Sequence, residues 1–415
     1  MSDLNEKNKA TSSIRPEGAP KVHRHMVEEI VASLQMIFDE NRYADKVVEK
    51  NLKFQKKWGS RDRKFYAENV YECVRWWRRL WYVLGVDPSM DSATLMQLWA
   101  VYQHLQGNEL PDWPELDGLE LKTSKLSGAP LEVQESITDW MNELGKRELG
   151  MRWPSIIKSL NEKSTVDLRV NTLKSNRETV KQNLQLEGIP TKEIGGSEIG
   201  LELVERKNVF ITKTFLSGAF EVQDRASQRV AELLDPKPGE RVVDACAGAG
   251  GKTLHLAAKM KNKGRIISLD VHEGKLKELG LRARRNGVAI VETRWIDSTK
   301  VIKRLADSAD RLLLDVPCSG MGVLRRNPDT KWKLNAEDLE QTQKLQREIL
   351  MGYSKILKSG GRMVYATCSC LPSENEKQVE WFLADHPDWK LIEQLRVDPD
   401  QGQGDGFFAA LMEKN

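Results

Sequence analysis

Residues 241–253 read RVVDACAGAGGKT, and this stretch decides the architecture of the second half of the chain. A β-branched apolar run reaches Asp244, crosses a small-residue loop containing Gly248, Gly250 and Gly251, and enters the apolar-rich TLHLAAKM. Strand, glycine turn and helix in that order open a doubly wound α/β sheet. Glycines there let the backbone approach a ligand, and the helix start offers unpaired N–H groups. Two narrower fingerprints do not fit. A Walker-type phosphate loop requires glycine five residues before Gly251, where Cys246 stands, and the dinucleotide fingerprint requires glycine where Thr253 stands.

Outward from this loop the alternation continues: RIISLDV (265–271), KLKELGLRARRNG (275–287), VETRWID (291–297), RLLLDV (311–316) and GRMVYATC (361–368). Short apolar strands separated by helices predict a mostly parallel sheet covered on both faces over residues 226–415. Ligands of such sheets bind beyond the carboxyl ends of the strands. Asp244, Asp270, Asp297, Asp315 and Cys368 stand at those ends. Asp270, roughly 20 residues beyond the loop, is placed to hold both hydroxyls of a ribose, and Asp297 to reach the adjoining base or wall.

Upstream, VDLRVNT alternates as a half-buried strand, RETVKQNLQLEG is a short helix ended by Gly188, and LELVERKNVFI reads as another strand, so residues 151–225 form a small α+β unit. Residues 21–150 read as all-α. Val27, Ile30, Val31, Leu34 and Ile37 recur at helical spacing, and Phe65–Leu84 repeats the pattern up to Asp87-Pro88. Residues 1–20 carry no apolar stretch of a secretory signal and read as a disordered tail.

The chain has 415 residues and a formal net charge of +3 from 64 basic and 61 acidic side chains, a balance that neither demands nor excludes nucleic acid. No apolar run approaches the roughly 20 residues of a membrane helix, so a cytoplasmic location is expected. Five cysteines, Cys73, Cys246, Cys318, Cys368 and Cys370, form neither a disulfide framework nor a zinc spacing, and no metal is expected. Cys73 and Cys370 read as small buried hydrophobes and Cys246 as wall. Cys318, in DVPCSGMGVLRRNP, and Cys368, in MVYATCSC, instead follow the ends of two strands that a parallel sheet would make neighbours.

DACAGAGGKT, DVPCSGMGVLRRNPDTKW and YATCSCLPSENE, with DLRVNTLK and FEVQDRASQ before them and GDGFFAALMEK after, resemble in order and spacing the RsmB/Sun family of RNA cytosine-5 methyltransferases. The resemblance covers residues 166–414. It implies a Rossmann-like class I methyltransferase domain and S-adenosylmethionine as cofactor. The cofactor would be held by Cys246, Ala247, Gly248, Ala249, Gly250, Gly251, Lys252, Asp270, Asp297 and Asp315. It also implies Cys368 as nucleophile, Cys318 as the cysteine that assists release, and an RNA substrate, here expected to be small-subunit rRNA, bound by a monomer. Where the family has Ala-Ala-Pro before the glycine pair, this chain has Ala247-Gly248-Ala249, which loosens the turn. The N-terminal helices resemble the NusB-like RNA-binding domain of the RsmB branch; Arg61, Arg63, Lys64, Arg75, Arg78 and Arg79 either track phosphates beside tryptophans that stack on bases, or form a solvated face over Trp76, Trp77 and Trp81 in the core.

Chemistry gives the cysteine pair a reason. Carbon 5 of cytosine is a poor nucleophile; a thiolate adding to C6 makes it enamine-like and able to take a methyl group. Asp315 would hydrogen-bond N3 and the exocyclic amine, and a second thiol would help remove the C5 proton. Amino-group methylation would instead favour an Asp/Asn-Pro-Pro-aromatic element where DVPCS stands. A non-catalytic RNA-binding assembly factor on the same scaffold would have no need of the thiols or the acidic strand ends.

Overall fold

The structure, a computed structural model, describes residues 22–402 and 404–415; the tail expected over residues 1–20 lies outside them. The chain divides into two compact units between Ser127 and Gly128.

In the first unit, helices Arg24–Phe38, Ala44–Phe54, Ser60–Arg75, Trp77–Leu84 and Ser92–Leu105 surround an apolar core. Val27, Ile30, Val31, Leu34 and Ile37 are all buried, as their spacing requires. The helix expected over Phe65–Leu84 is broken at Trp76, and its stop is Gly85, not Asp87-Pro88. Gly85 adopts φ +72° and donates its N–H to Trp81 O, the left-handed closure that glycine makes without steric cost. Trp77 and Trp81 are core residues, which removes them as base-stacking surfaces. Arg63 donates to the carbonyls of Leu52, Gln55 and Trp58, Arg75 is buried against Glu72, and Arg79 lies over the Trp76 ring. Arg61 and Lys64 are exposed.

The second unit begins earlier than the sequence suggested. Helices Asp139–Leu149 and Trp153–Leu160 bury Met141, Leu144, Trp153, Ile156 and Ile157 against Met321, Leu324, Cys370 and Leu371. Residues 128–150 therefore belong to the second unit. Their helical periodicity was legible, whereas the partner of their apolar face was not.

Next comes a four-stranded antiparallel sheet, β1 (Asp167–Val170), β2 (Thr191–Glu193), β3 (Gly200–Leu203) and β4 (Phe220–Val222), in the order β2-β3-β1-β4. Only the first part of LELVERKNVFI is strand; Phe210 and Ile211 are exposed on the connection. The seven-stranded sheet follows, formed by β5 (Arg241–Asp244), β6 (Arg265–Asp270), β7 (Val291–Trp295), β8 (Ala309–Asp315), β9 (Leu357–Thr367), β10 (Trp389–Val397) and β11 (Phe407–Lys414). Its order is β10-β11-β9-β8-β5-β6-β7; the five central and far strands run parallel, and β11 and β10 join antiparallel beside β9. This is the expected Rossmann-like sheet with an antiparallel edge pair added. Strands β5 and β8 lie side by side at the point where the chain order reverses, where such folds open their ligand crevice.

In the helical unit, Asn69 Oδ1 accepts from Trp99 Nε1 at 2.9 Å and from Gln103 Nε2 at 2.6 Å, and Asn69, Trp99 and Gln103 are all buried. Asn69→Ala strands both donors, so a loss of about 2–4 kcal/mol is expected in urea denaturation, against little change for an exposed control such as Lys64→Ala.

Candidate active site

The glycine loop leaves β5 after Asp244 and ends where the helix Gly251–Lys259 begins. Gly248 lies at φ +53° and Gly250 at φ +85°, conformations that strain other residues. At Gly250 a Cβ would also stand 2.4 Å from Leu279 Cγ. Asp270, at the end of β6, accepts the Gly248 N–H at 2.8 Å on one oxygen and the His272 N–H at 2.7 Å on the other. Its carboxylate thus clamps the loop to the second strand end. Asp297, beyond the end of β7, is exposed and accepts from Ser298 Oγ.

A cavity of about 220 Å³ opens over the loop, lined by Asp244, Cys246, Ala247, Gly251, Lys252 and Asp315 from the large sheet, and by residues of the β4 region and the helix Glu273–Asn286. Lys252 donates to Asp315 Oδ2 at 2.6 Å. Burial works against the Lys252 charge, but Asp315 and then Cys368 outweigh it and raise the ammonium's pKa, so the lysine stays charged. Asp244 is buried; Thr253 Oγ1 donates to its Oδ2 at 2.6 Å, while Oδ1 finds no partner among the described residues. Burial lifts its pKa to about 7. A glycine cradle, a helix start, a carboxylate clamp and one unpartnered buried oxygen together fit a polar, nucleoside-sized ligand.

The two cysteines meet beside this crevice. Strands β8 and β9 pair in parallel with Asp315 opposite Ala366, and the chain turns out of each strand within three residues. Cys318 Sγ and Cys368 Sγ are 3.2 Å apart and not bonded to each other. The hydrogen bond to Cys368, and then burial, push the Cys318 thiol well above its ordinary range, so Cys318 keeps its proton at neutral pH. Cys73 and Cys370 are buried in apolar surroundings, and burial holds both thiols protonated, Cys370 at about 12. Burial raises the Cys246 thiol as well.

Two residues unassigned in the sequence hold the cysteine loops. Glu374, fully buried, accepts the Ser319 N–H at 2.8 Å, the Ser319 hydroxyl, and Gln346 Nε2 at 3.0 Å; Gln346 also donates to Pro317 O. The next residue, Asn375, is bonded to Thr367 Oγ1 and donates to Ser369 O at 2.9 Å. One dipeptide therefore fastens the turn bearing Cys318 and the turn bearing Cys368. The signal was the pair of consecutive polar residues in PSENE directly after the cysteine loop. Lys331, also fully buried, ties the segment after Cys318 to Glu135 O, Ser136 O and Asn161. Arg282, which donates to Ala249 O of the glycine loop, stands in the charge-rich RARRNG, where spacing does not mark it.

Known proteins with this pattern are similar along much of the chain. The family described as 16S rRNA methyltransferase RsmB/F matches residues 231–413, and the ferredoxin-like domain of RsmF/B-like methyltransferases matches residues 137–210. The probable ribosomal RNA small subunit methyltransferase B of Synechocystis sp. is 36% identical over 301 residues, covering 68% of this chain and 67% of that protein. The ribosomal RNA small subunit methyltransferase B of Proteus mirabilis is 38% identical over 270 residues, 63% of this chain and 62% of its own. The matches thus span about two thirds or less of these relatives' length. The crystal structure of a methyltransferase homologue from Pyrococcus horikoshii superposes with a TM-score of 0.62 at 30% identity, covering 70% of this chain and 99% of that one.

Asp244 also yields a test. With its pKa raised by burial from 3.8 to about 7, the folded state binds a proton that the unfolded state releases. Stability is lost as pH rises from about 4 to 7 and the deficit is constant above that. Asp244→Asn removes this dependence. Its stability relative to the parent should rise between pH 5 and pH 8 by on the order of 2 kcal/mol, read by denaturant unfolding; a pH-independent difference would show that Asp244 is ionised throughout.

Proposed function

The chain belongs to the RsmB/Sun family, the RsmB/F methyltransferases, and from that premise we propose that it methylates carbon 5 of a cytosine in small-subunit rRNA through a covalent cysteine adduct. The observation that carries the reading is the contact between Cys318 and Cys368 at the ends of adjacent parallel strands, beside the Lys252–Asp315 pair. Neither amino-group methylation nor a purely binding role requires two thiols in contact at a ligand crevice.

S-adenosylmethionine, the cofactor of this family, supplies the methyl group as a sulfonium. The loop from Cys246 to Lys252, with Asp270 and Asp315, is its seat, and the cradle fits it. Asp297, exposed beyond β7, would reach the adjoining base or wall. The remaining steps belong to the chain. Cys368, beyond the end of β9 and in contact with Cys318, is the sulfur that attacks C6. Asp315, fixed by Lys252, bonds the N3 edge of the base as the ring gains charge. Once Cys368 is bonded to carbon, the contact that held the proton on Cys318 is lost. Cys318 then gives its own proton to solvent, takes the C5 proton, and lets Cys368 leave.

Cys318→Ala is expected to accumulate a covalent RNA–protein species that survives denaturing electrophoresis, using 16S rRNA or its assembly intermediate with S-adenosylmethionine. Cys368→Ala should form none, and turnover should fall by at least about 10³-fold in both. Bisulfite sequencing of rRNA from cells with and without the protein identifies the cytosine. An adduct that persists without Cys368 would reverse the assigned roles, and no cytosine changing in rRNA would overturn the substrate.

A further inference from the structure

The glycine loop is also held through its carbonyls, by a helix side chain, Arg282, that lines the same cavity. Its carbonyls face two arginines anchored to the small antiparallel sheet. Arg282 Nη1 donates to Ala249 O at 2.8 Å while its Nη2 pairs with Glu221 of β4 at 2.9 Å. Arg169 of β1, itself buried, donates to Gly251 O at 2.6 Å and to Gln223. Arg282 lies on the helix Glu273–Asn286, three residues from the Leu279 that fills the space beside Gly250, so one helix face meets the loop twice. The Glu221 carboxylate is largely buried. Burial alone would raise its pKa, yet Arg282, Asn286 and Arg285 pull it below its ordinary value, so it stays charged and keeps Arg282 aimed.

The loop needs such support. Residues 247–251 are Ala-Gly-Ala-Gly-Gly, with two glycines at positive φ and no proline, so the unfolded loop has much conformational freedom to lose. The Asp270 clamp fixes its amide side. Its carbonyl side is fixed by the arginines, and a guanidinium held in a carboxylate fork is a rigid donor.

We propose that Arg282 is a positioning residue for the cofactor: anchored on Glu221 of the small sheet, it holds the Ala249 carbonyl and so sets the glycine loop in its ligand-binding shape. The role rests on the loop being the seat of S-adenosylmethionine. It also makes the small sheet part of the cofactor site, so a ligand that shifts β4 changes cofactor affinity, and the cofactor changes that ligand's affinity by the same factor.

Arg285 provides the control. It pairs with the same Glu221 and stacks on Phe215, but it does not touch the loop. Binding of S-adenosylmethionine to the full chain is measured by calorimetry, with melting temperatures in parallel. Arg282→Ala should weaken Kd about tenfold, and Arg285→Ala should change it less than about twofold while lowering the melting temperature comparably. Arg282→Met, which keeps the aliphatic packing, gives the same reading if the alanine variant does not fold. Unchanged Kd in the Arg282 variants, or equal weakening in Arg282→Ala and Arg285→Ala, overturns the proposal. Failure of the parent chain to bind S-adenosylmethionine removes the cofactor reading itself, and the proposal with it.

Discussion

The parallel pairing of β8 with β9, in the register that sets Asp315 opposite Ala366, is the constraint from which the site follows. The two cysteines are fifty residues apart in the chain and cannot find each other locally. They meet because neighbouring strands end at the same level and turn out of the sheet on the same side. A slip of one residue would reverse which face each β9 side chain occupies. It would expel Met363 and Tyr365 from the apolar core they share with Leu312 and Leu314. The burial of the strands and the meeting of the sulfurs are therefore specified by the same residues. Glu374 and Asn375 complete the arrangement, since two ordered strand ends still leave two turns free to wander. Gly322 adds a third tie, donating its N–H to Cys368 O at 2.9 Å where a Cβ would stand 2.7 Å from that oxygen.

Much of this is readable from residue order because parallel strands declare themselves locally. VVD, IISLD and LLLD are short buried runs whose ends carry the acidic residues, and strand-end position is what the chemistry uses. The strand β11 hides as one more apolar run, FFAALMEK. Strand β10 alternates poorly because most of its middle is exposed at the sheet edge. Tertiary partners are the harder part. Helices between residues 131 and 160 look like their N-terminal neighbours in periodicity but face the loops around Cys370 and Leu324. Trp77 and Trp81 beside arginines read equally as a stacking surface or as core, and their rings are packed inside. Arg282 sits in RARRNG, where charge frequency alone points to solvent; only the folded chain brings it to Ala249 and Glu221.

The carboxylates around the crevice differ in how completely they are satisfied. Glu374 is enclosed and accepts from three donors on two different segments, so its desolvation is offset and its geometry leaves little freedom. Glu221 is likewise surrounded, by two arginines and an asparagine. Such groups are rigid anchors, and each fastens a segment that approaches the crevice. Asp244 is equally buried but accepts only from Thr253, with its second oxygen unpaired in the cavity wall. Asp315 lies partly exposed with Lys252 on one oxygen. A fold that only needed stability would gain by replacing Asp244 with a neutral side chain, because an incompletely paired buried carboxylate costs free energy that packing must offset. Its place at the strand end nearest the glycine turn is intelligible if the missing hydrogen bond is made to a ligand. The anchors Glu374 and Glu221 hold the segments around that oxygen in place.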